Sequence, residues 1–415
     1  MDTNKTILLI ATLDTKEEEA FYLKARIEKN RIRVLLMDTG ILAPPVRKPD
    51  ISQEEVAAQG GVALKTSLQQ GDKFASTENM CRGAARLTAS LFHEGRIQGV
   101  IGIGGGQGTQ IATTAMRALP TGIPGLMVST IANGLHRFGP YVGTRDLTIM
   151  HTVCDIQGLN FLTRRILQNA AGAICGMVLD PDETIRPEGV PVALSMLGTT
   201  TIGALRAKRA LQEKGYEVVS FHQNGTGGIA MEDMILGGAF DGVLDLNLHE
   251  IGDYRVKGLH AALRGDRLTA AGALGLPQVV APGSINYSVQ GPPESIPEGM
   301  AGRARFYNNP QFTLVRLGVD ELKDVAREVA SKLNRARGPV MVFIPLKGFS
   351  YPDREGLPHW DPEGNEAFID TLESSLSKSI PLVKLDTHIN DAGFIDAAVA
   401  AFLSLMAKYK RAPEN

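Results

Sequence analysis

Thr6-Ile7-Leu8-Leu9-Ile10-Ala11-Thr12, followed by Asp14-Thr15, a stretch of helical composition from Glu17 to Lys29, and then Ile32-Arg33-Val34-Leu35-Leu36-Met37 closing on Asp38-Thr39-Gly40, is the segment that decides the fold. Two short runs, apolar except for Arg33 and the bounding Thr6 and Thr12, flank one helical stretch, which is a β-α-β unit. Strands that lack polar alternation belong to a parallel sheet covered on both faces.

The same grammar continues outward. Residues 41–76 break it with a long irregular crossover, opened by Ala43-Pro44-Pro45 and punctuated by Gly60-Gly61 and Gly71-Asp72. A helix is expected from about Glu78 to Glu94, a strand over Gly99–Ile103, and a helix ending near Leu119. A strand over Ile123–Val128 and a helix from about Leu159 to Gly176 close the first half. After Pro181, Pro187 and Pro191 the pattern restarts with a strand over Val192–Met196, a turn Gly198-Thr199-Thr200-Thr201 and a helix over Ile202–Lys214. Further strands are read at Tyr216–Ser220, Phe240–Leu246, Gln278–Ala281, Val340–Ile344 and Leu382–Leu385. Helices near Asp320–Arg335, Asn365–Lys378 and Ala392–Ala407 alternate with them. The expected class is α/β, with two Rossmann-like, doubly wound parallel-sheet domains over residues 1–185 and 186–415 and an interdomain cleft.

Composition agrees with this class. A chain of 415 residues suits two domains, and its 43% hydrophobic and 21% charged residues are those of an ordinary globular protein. The formal net charge of −2 provides no field for nucleic acid or an anionic membrane. Lys408-Tyr409-Lys410-Arg411 is a small basic knot, read as a solvated helix end. Cys81, Cys154 and Cys175 are odd in number and far apart, signalling neither a disulfide framework nor a zinc site. A reduced, cytoplasmic location is expected, and no stretch is long and apolar enough to read as a membrane span.

In doubly wound sheets ligands gather where the carboxyl ends of the strands meet the topological switch point. The strongest candidate turn is Gly102-Ile103-Gly104-Gly105-Gly106-Gln107-Gly108-Thr109. Consecutive glycines let main-chain N–H groups converge on an anion, and the following helix adds its positive end. The turn resembles the phosphate loop of phosphofructokinases and of lipid or NAD kinases, with Gln107 where those families usually carry Asp. Asp14 and Thr15 after the first strand, Asp38 and Thr39 after the second, and Ser129-Thr130 after the fourth face the same edge. In the second half, Thr199 and Thr200, and then Gly225, Thr226 and Gly227, form two more polar turns. His222, Glu250 and Lys347 are the acid–base candidates, with Asp245, Asn247 and His249 close by in sequence. A loop from Phe349 to Asp361, carrying Asp353, Arg354, His359 and Trp360, has the length of a lid. No G-x-G-x-x-G follows the first strand and no G-x-x-x-x-G-K-[ST] occurs, which disfavours a dinucleotide-binding Rossmann domain and a P-loop NTPase. No metal-ligand spacing is present, although a Mg²⁺ held mainly by a ligand's phosphates would leave little trace.

Three motifs together, Leu9-Ile10-Ala11-Thr12-Leu13-Asp14-Thr15-Lys16, Gly102 to Thr109 and Phe221-His222-Gln223-Asn224-Gly225-Thr226-Gly227-Gly228, resemble one family over almost the whole chain. It is the family that includes the ATP-binding N-terminal domain of the tomato mosaic virus resistance protein. The resemblance implies two Rossmann-like subdomains, ATP bound between them and self-association as a homo-oligomer such as a dimer. In the plant protein this region is joined to a TIM barrel; here the chain stops at Asn415, which raises the idea of a separately encoded barrel partner. The expected function is ATP or nucleotide binding, in support of an ATP-dependent reaction. Two rivals stand beside it: an enzyme for a phosphorylated sugar or hydroxy acid, and a non-catalytic nucleotide-sensing subunit.

Overall fold

The computed structural model describes residues 5–69, 71–132, 139–179, 187–262 and 264–409. Residues 180–186, where the sequence pattern restarts, lie outside it, as do Asn133, Gly134, Lys410 and Arg411. The chain divides into two compact units, Met1–Thr184 and Ile185–Asn415.

The first unit holds five parallel strands: β1 (Thr6–Ala11), β2 (Arg33–Asp38), β3 (Gly99–Gly104), β4 (Gly125–Ser129) and β5 (Thr148–His151). Their order is β2-β1-β3-β4-β5. Why β1 is apolar throughout is visible in the packing. Ile7, Leu9 and Ala11 join one buried cluster with Leu23, Ile27, Leu167 and Ile174, whereas Leu8 and Ile10 join another with Met80, Ala84, Ile111 and Ala115. Helices Leu13–Glu28 and Phe161–Leu179 supply the first cluster, and Lys73–His93 and Gly106–Arg117 the second. A strand buried on both faces cannot alternate.

Six strands form the sheet of the second unit: β6 (Val190–Met196), β7 (Tyr216–His222), β8 (Gly242–Asn247), β9 (Gln278–Gly283), β13 (Val340–Pro345) and β14 (Leu382–Leu385). All pairings are parallel, in the order β14-β13-β9-β8-β6-β7. Counted from its own first strand, this repeats the order of the first sheet with one strand added. The α/β reading with two parallel sheets therefore holds.

The sequence reading lacks the edge strand Thr148–His151 and the helices Gly227–Leu236 and His249–Val256, and two larger regions depart from it as well. The crossover over residues 41–76 contains helices Gln53–Gly60 and Leu64–Gln69, and the next helix begins at Lys73. Ser52 starts the first of these with a capping box to Glu55, a short local signal that the surrounding glycines and prolines obscure. In the second unit an antiparallel sheet, β10 (Tyr287–Gln290), β11 (Arg305–Asn309) and β12 (Phe312–Arg316), is inserted after β9 in the order β10-β12-β11.

Candidate functional site

The strand order β2-β1-β3-β4-β5 reverses between β1 and β3, and the crevice outside a parallel sheet opens at such a reversal. The turn from Gly104 to Gly108 leaves β3 at that point, beside Thr12 at the end of β1, whose Oγ1 would lie 4.0 Å from a Cβ on Gly108. Gly104 must be glycine, because a Cβ there would lie 2.8 Å from Gly108 Cα. Gly105 and Gly106 are different. Neither has a positive φ; a Cβ on Gly105 would meet only Thr130 Oγ1, at 3.6 Å, and one on Gly106 would meet nothing within 4 Å. Packing does not call for glycine at either position.

Gly105 is the N-cap of the helix Gly106–Arg117, with no side-chain cap. The leading N–H groups of Gly106, Gln107 and Gly108 thus have no intrahelical acceptor, and they carry the positive end of the helix dipole. Thr109 and Ser129 serve the turn from behind. Both are fully buried, and their hydroxyls are 2.7 Å apart. Ser129 Oγ also accepts the N–H of Ile131 at 3.2 Å, which fixes the loop that carries Thr130. The sequence placed Thr109 and Ser129 at the ligand; the structure spends their hydroxyls on each other. Thr12 Oγ1 lies 3.2 Å from the hydroxyl of the exposed Thr15.

Asp14 and Asp38 shape the neighbouring ends of β1 and β2. Asp14 Oδ2 accepts the N–H groups of Ile41 and Leu42, both at 2.9 Å. Asp38, fully buried, accepts those of Leu13 at 3.0 Å and Gly40 at 2.8 Å on Oδ1. Its Oδ2 has no partner. Burial pushes the Asp38 carboxyl up to about 6, with Asp14 and Glu54 adding to the rise and the two main-chain bonds opposing it. A folded-state value above the unfolded one means the folded chain binds the proton more tightly, so stability is lost as pH rises from about 4 to about 6. Asp38→Asn is isosteric and keeps the Oδ1 bonds. It should be more stable than the parent at pH 7 by on the order of 1–2 kcal/mol, and the difference should vanish near pH 4, as read by urea unfolding at both pH values.

In the second unit the polar turns are filled by the protein's own side chains. Gly225 has φ +97°, and a Cβ on Gly227 would lie 1.9 Å from His222 O and one on Gly228 2.1 Å from Glu250 Oε2. Glu250, fully buried, accepts the N–H groups of Gly225 at 2.8 Å and Gly228 at 3.0 Å. Asn224 Oδ1 takes the hydroxyl of Thr226 at 3.1 Å. This turn is therefore a packed clamp and not an anion cradle, and Glu250 is its anchor. Thr199 Oγ1 pairs with Ser284 Oγ at 2.7 Å and Tyr287 OH at 2.9 Å, and Thr200 Oγ1 accepts Asn247 Nδ2 at 2.9 Å.

The three acid–base candidates do not assemble. His222 is exposed at the end of β7. Lys347 follows β13, four strand spacings away or about 19 Å along the sheet. It is exposed and paired with Asp386 at 2.9 Å. What the second unit gathers is a buried cluster that the sequence reading mostly missed. The rings of His249 and Tyr287 lie 4.7 Å apart, and His260 meets His249 at 5.6 Å. His249 Nδ1 donates to Ser284 O at 3.0 Å, which leaves Nε2 unprotonated, 3.7 Å from Asp253 Oδ2. Burial holds His249 and His260 down at about 4 and pushes Asp253 up to about 6. The His249-x-x-x-Asp253 spacing on one helix turn was the available signal. Among the described residues no group of three or more His, Cys, Asp or Glu is arranged to hold a metal ion, and no helix is long and apolar enough to cross a membrane.

Family models match both units: the N-terminal domain of the uncharacterised protein family UPF0261 over residues 5–183, and its C-terminal domain over residues 190–406. The chain belongs to UPF0261. A UPF0261 protein of Clostridium tetani is 39% identical over 98% of this chain and 100% of its own length. One from Rhizobium meliloti is 37% identical over 96% of this chain and 98% of its own length. The ToMV resistance protein Tm-1(GCR237) of Solanum lycopersicum is 36% identical over 76% of this chain, a match that spans 42% of the tomato protein. The family that the three sequence motifs point to is thus the one found, and UPF0261 includes both sheet units of this chain.

Proposed function

We propose that this UPF0261 chain is a nucleotide-binding protein whose ligand, ATP with Mg²⁺, sets its phosphates against the N–H groups of Gly106, Gln107 and Gly108. One observation carries the reading: Gly105 and Gly106 are glycines that neither backbone conformation nor packing requires, at an uncapped helix start on the switch point of a parallel sheet. Space and main-chain donors without a side-chain competitor are what an anionic phosphate needs. Thr130 and Thr12 flank the turn with hydroxyls for the outer phosphate oxygens, and Thr109 and Ser129 hold its frame. Magnesium would be carried in by the phosphates.

Isothermal calorimetry on the purified chain is expected to detect ATP and ADP in the presence of Mg²⁺. At a ligand concentration about 100 times Kd, unfolding should become harder by about 2.7 kcal/mol through mass action. A chain that binds neither nucleotide, or that is stabilised by a phosphorylated sugar or acid and not by ATP, would overturn the proposal.

A further inference from the structure

A pocket of about 240 Å³ opens at the end of β2, walled by Asp38, Gln53, Glu54, Pro44, Pro45 and Val46. Two of its residues carry buried acceptors without a donor: Asp38 Oδ2 and Gln53 Oε1 have no hydrogen-bond partner, in side chains that are 0% and 4% exposed. Folded chains rarely leave such atoms unmatched, so each calls for a donor from outside the chain. Pro44, Pro45, Pro49 and Val46 give the same pocket apolar surface beside Lys48 and Ser52, and Val46 stands 94% exposed. A ligand suited to this place offers hydroxyl or amino donors on one side and a flat apolar face on the other.

The location narrows the class. β1 lies between β2 and β3, so the pocket and the Gly104–Gly108 turn are separated by two strand spacings, about 10 Å. That matches the reach from the sugar of a nucleotide to its outer phosphates. We infer that this pocket is the nucleoside subsite of the phosphate turn: the ribose hydroxyls donate to Asp38 Oδ2 and Gln53 Oε1, and the base lies on Pro44, Pro45 and Val46. The inference rests on the nucleotide reading and adds to it a requirement for the ribose diol. A ribonucleotide is accepted, and a deoxynucleotide leaves the buried acceptors unmatched.

The test measures affinity by calorimetry at about pH 8, where Asp38 is ionised, for ATP, 2′-deoxyATP, 3′-deoxyATP and inorganic tripolyphosphate, each with Mg²⁺. In the parent chain ATP should bind about tenfold or more tightly than at least one of the deoxynucleotides, the usual worth of a hydrogen bond to a charged acceptor. Asp38→Asn turns the Oδ2 acceptor into a donor; it should bring ATP to within about twofold of the deoxynucleotide that the parent discriminates against most strongly and leave tripolyphosphate affinity unchanged. Gln53→Leu, which removes the second acceptor, should shrink the discrimination as well. Equal affinity of the parent for ATP and both deoxynucleotides would overturn the subsite while leaving the phosphate turn standing. So would an Asp38→Asn chain that loses tripolyphosphate as strongly as ATP. Failure of all four probes to bind the parent would overturn the nucleotide reading, and the subsite with it.

Discussion

Gly105→Asp is expected to weaken ATP binding by about 100-fold without costing the chain any stability. The two effects share one cause. Gly105 already has the extended conformation of an N-cap, and the space beside its Cα is open. An aspartate there can accept the N–H of Gln107 or Gly108 and face the positive end of the helix, which adds a few tenths of a kcal/mol to about 1 kcal/mol. Its carboxylate then occupies the place proposed for a phosphate and repels it. Gly105→Ala adds a Cβ without charge, so it should bind ATP within a few-fold of the parent and separate charge from bulk. Thermal unfolding and calorimetry on the three chains give the answer. Undiminished ATP binding by Gly105→Asp would remove this turn from the site.

The largest loss of stability is expected from Arg267→Met. Arg267 is 1% exposed and holds Asp245 with two parallel bonds of 2.7 Å. It also donates to Glu232 at 3.1 Å, Gln223 at 2.9 Å and Asn247 O at 3.2 Å, and lies 3.9 Å from Glu250. Asp245 in turn accepts the hydroxyl of Ser195, whose oxygen accepts Asn247 N, so the guanidinium secures the end of β8. Removing it leaves buried carboxylates without a counter-charge, a change that costs about 3–5 kcal/mol for a single broken pair. Urea unfolding should show a loss of at least about 4 kcal/mol at pH 7. Arg267→Lys should rescue little, because an ammonium cannot reproduce the fork on Asp245. A loss below about 1 kcal/mol would mean that Asp245 and Glu232 find other partners.

The architecture was legible because its strands are buried on both faces. Leu8 and Leu9 point to opposite clusters and are both apolar, and that unbroken run is what marks a parallel strand in sequence. The antiparallel insertion was not legible. β10 is four residues long and fully buried, and β11 and β12 are joined by a two-residue link, which is too little pattern to read against the neighbouring loops. The site was half readable. Sequence alone makes Gly105-Gly106 and Gly227-Gly228 equivalent, two glycine pairs before a helix. Only the surroundings separate them: the first pair faces open space, the second is pressed on His222 O and Glu250. Glu250 looks like an acid poised after a strand until Gly225 and Gly228 are seen to claim its Oε1. Arg267 gave no signal at all, since a buried arginine is written in sequence like a surface one.

The separateness of the two sheets bears on how the chain comes to be folded. Among the described residues every strand and covering helix of the first sheet lies within the chain up to Leu179, and none of the later strands pairs with it. Its longest-range pairings are therefore complete before β6 has been translated. The leading half can close its core at the ribosome exit while the trailing half is still being made, sparing the eleven parallel strands of the two sheets from competing for partners in a single unfolded chain.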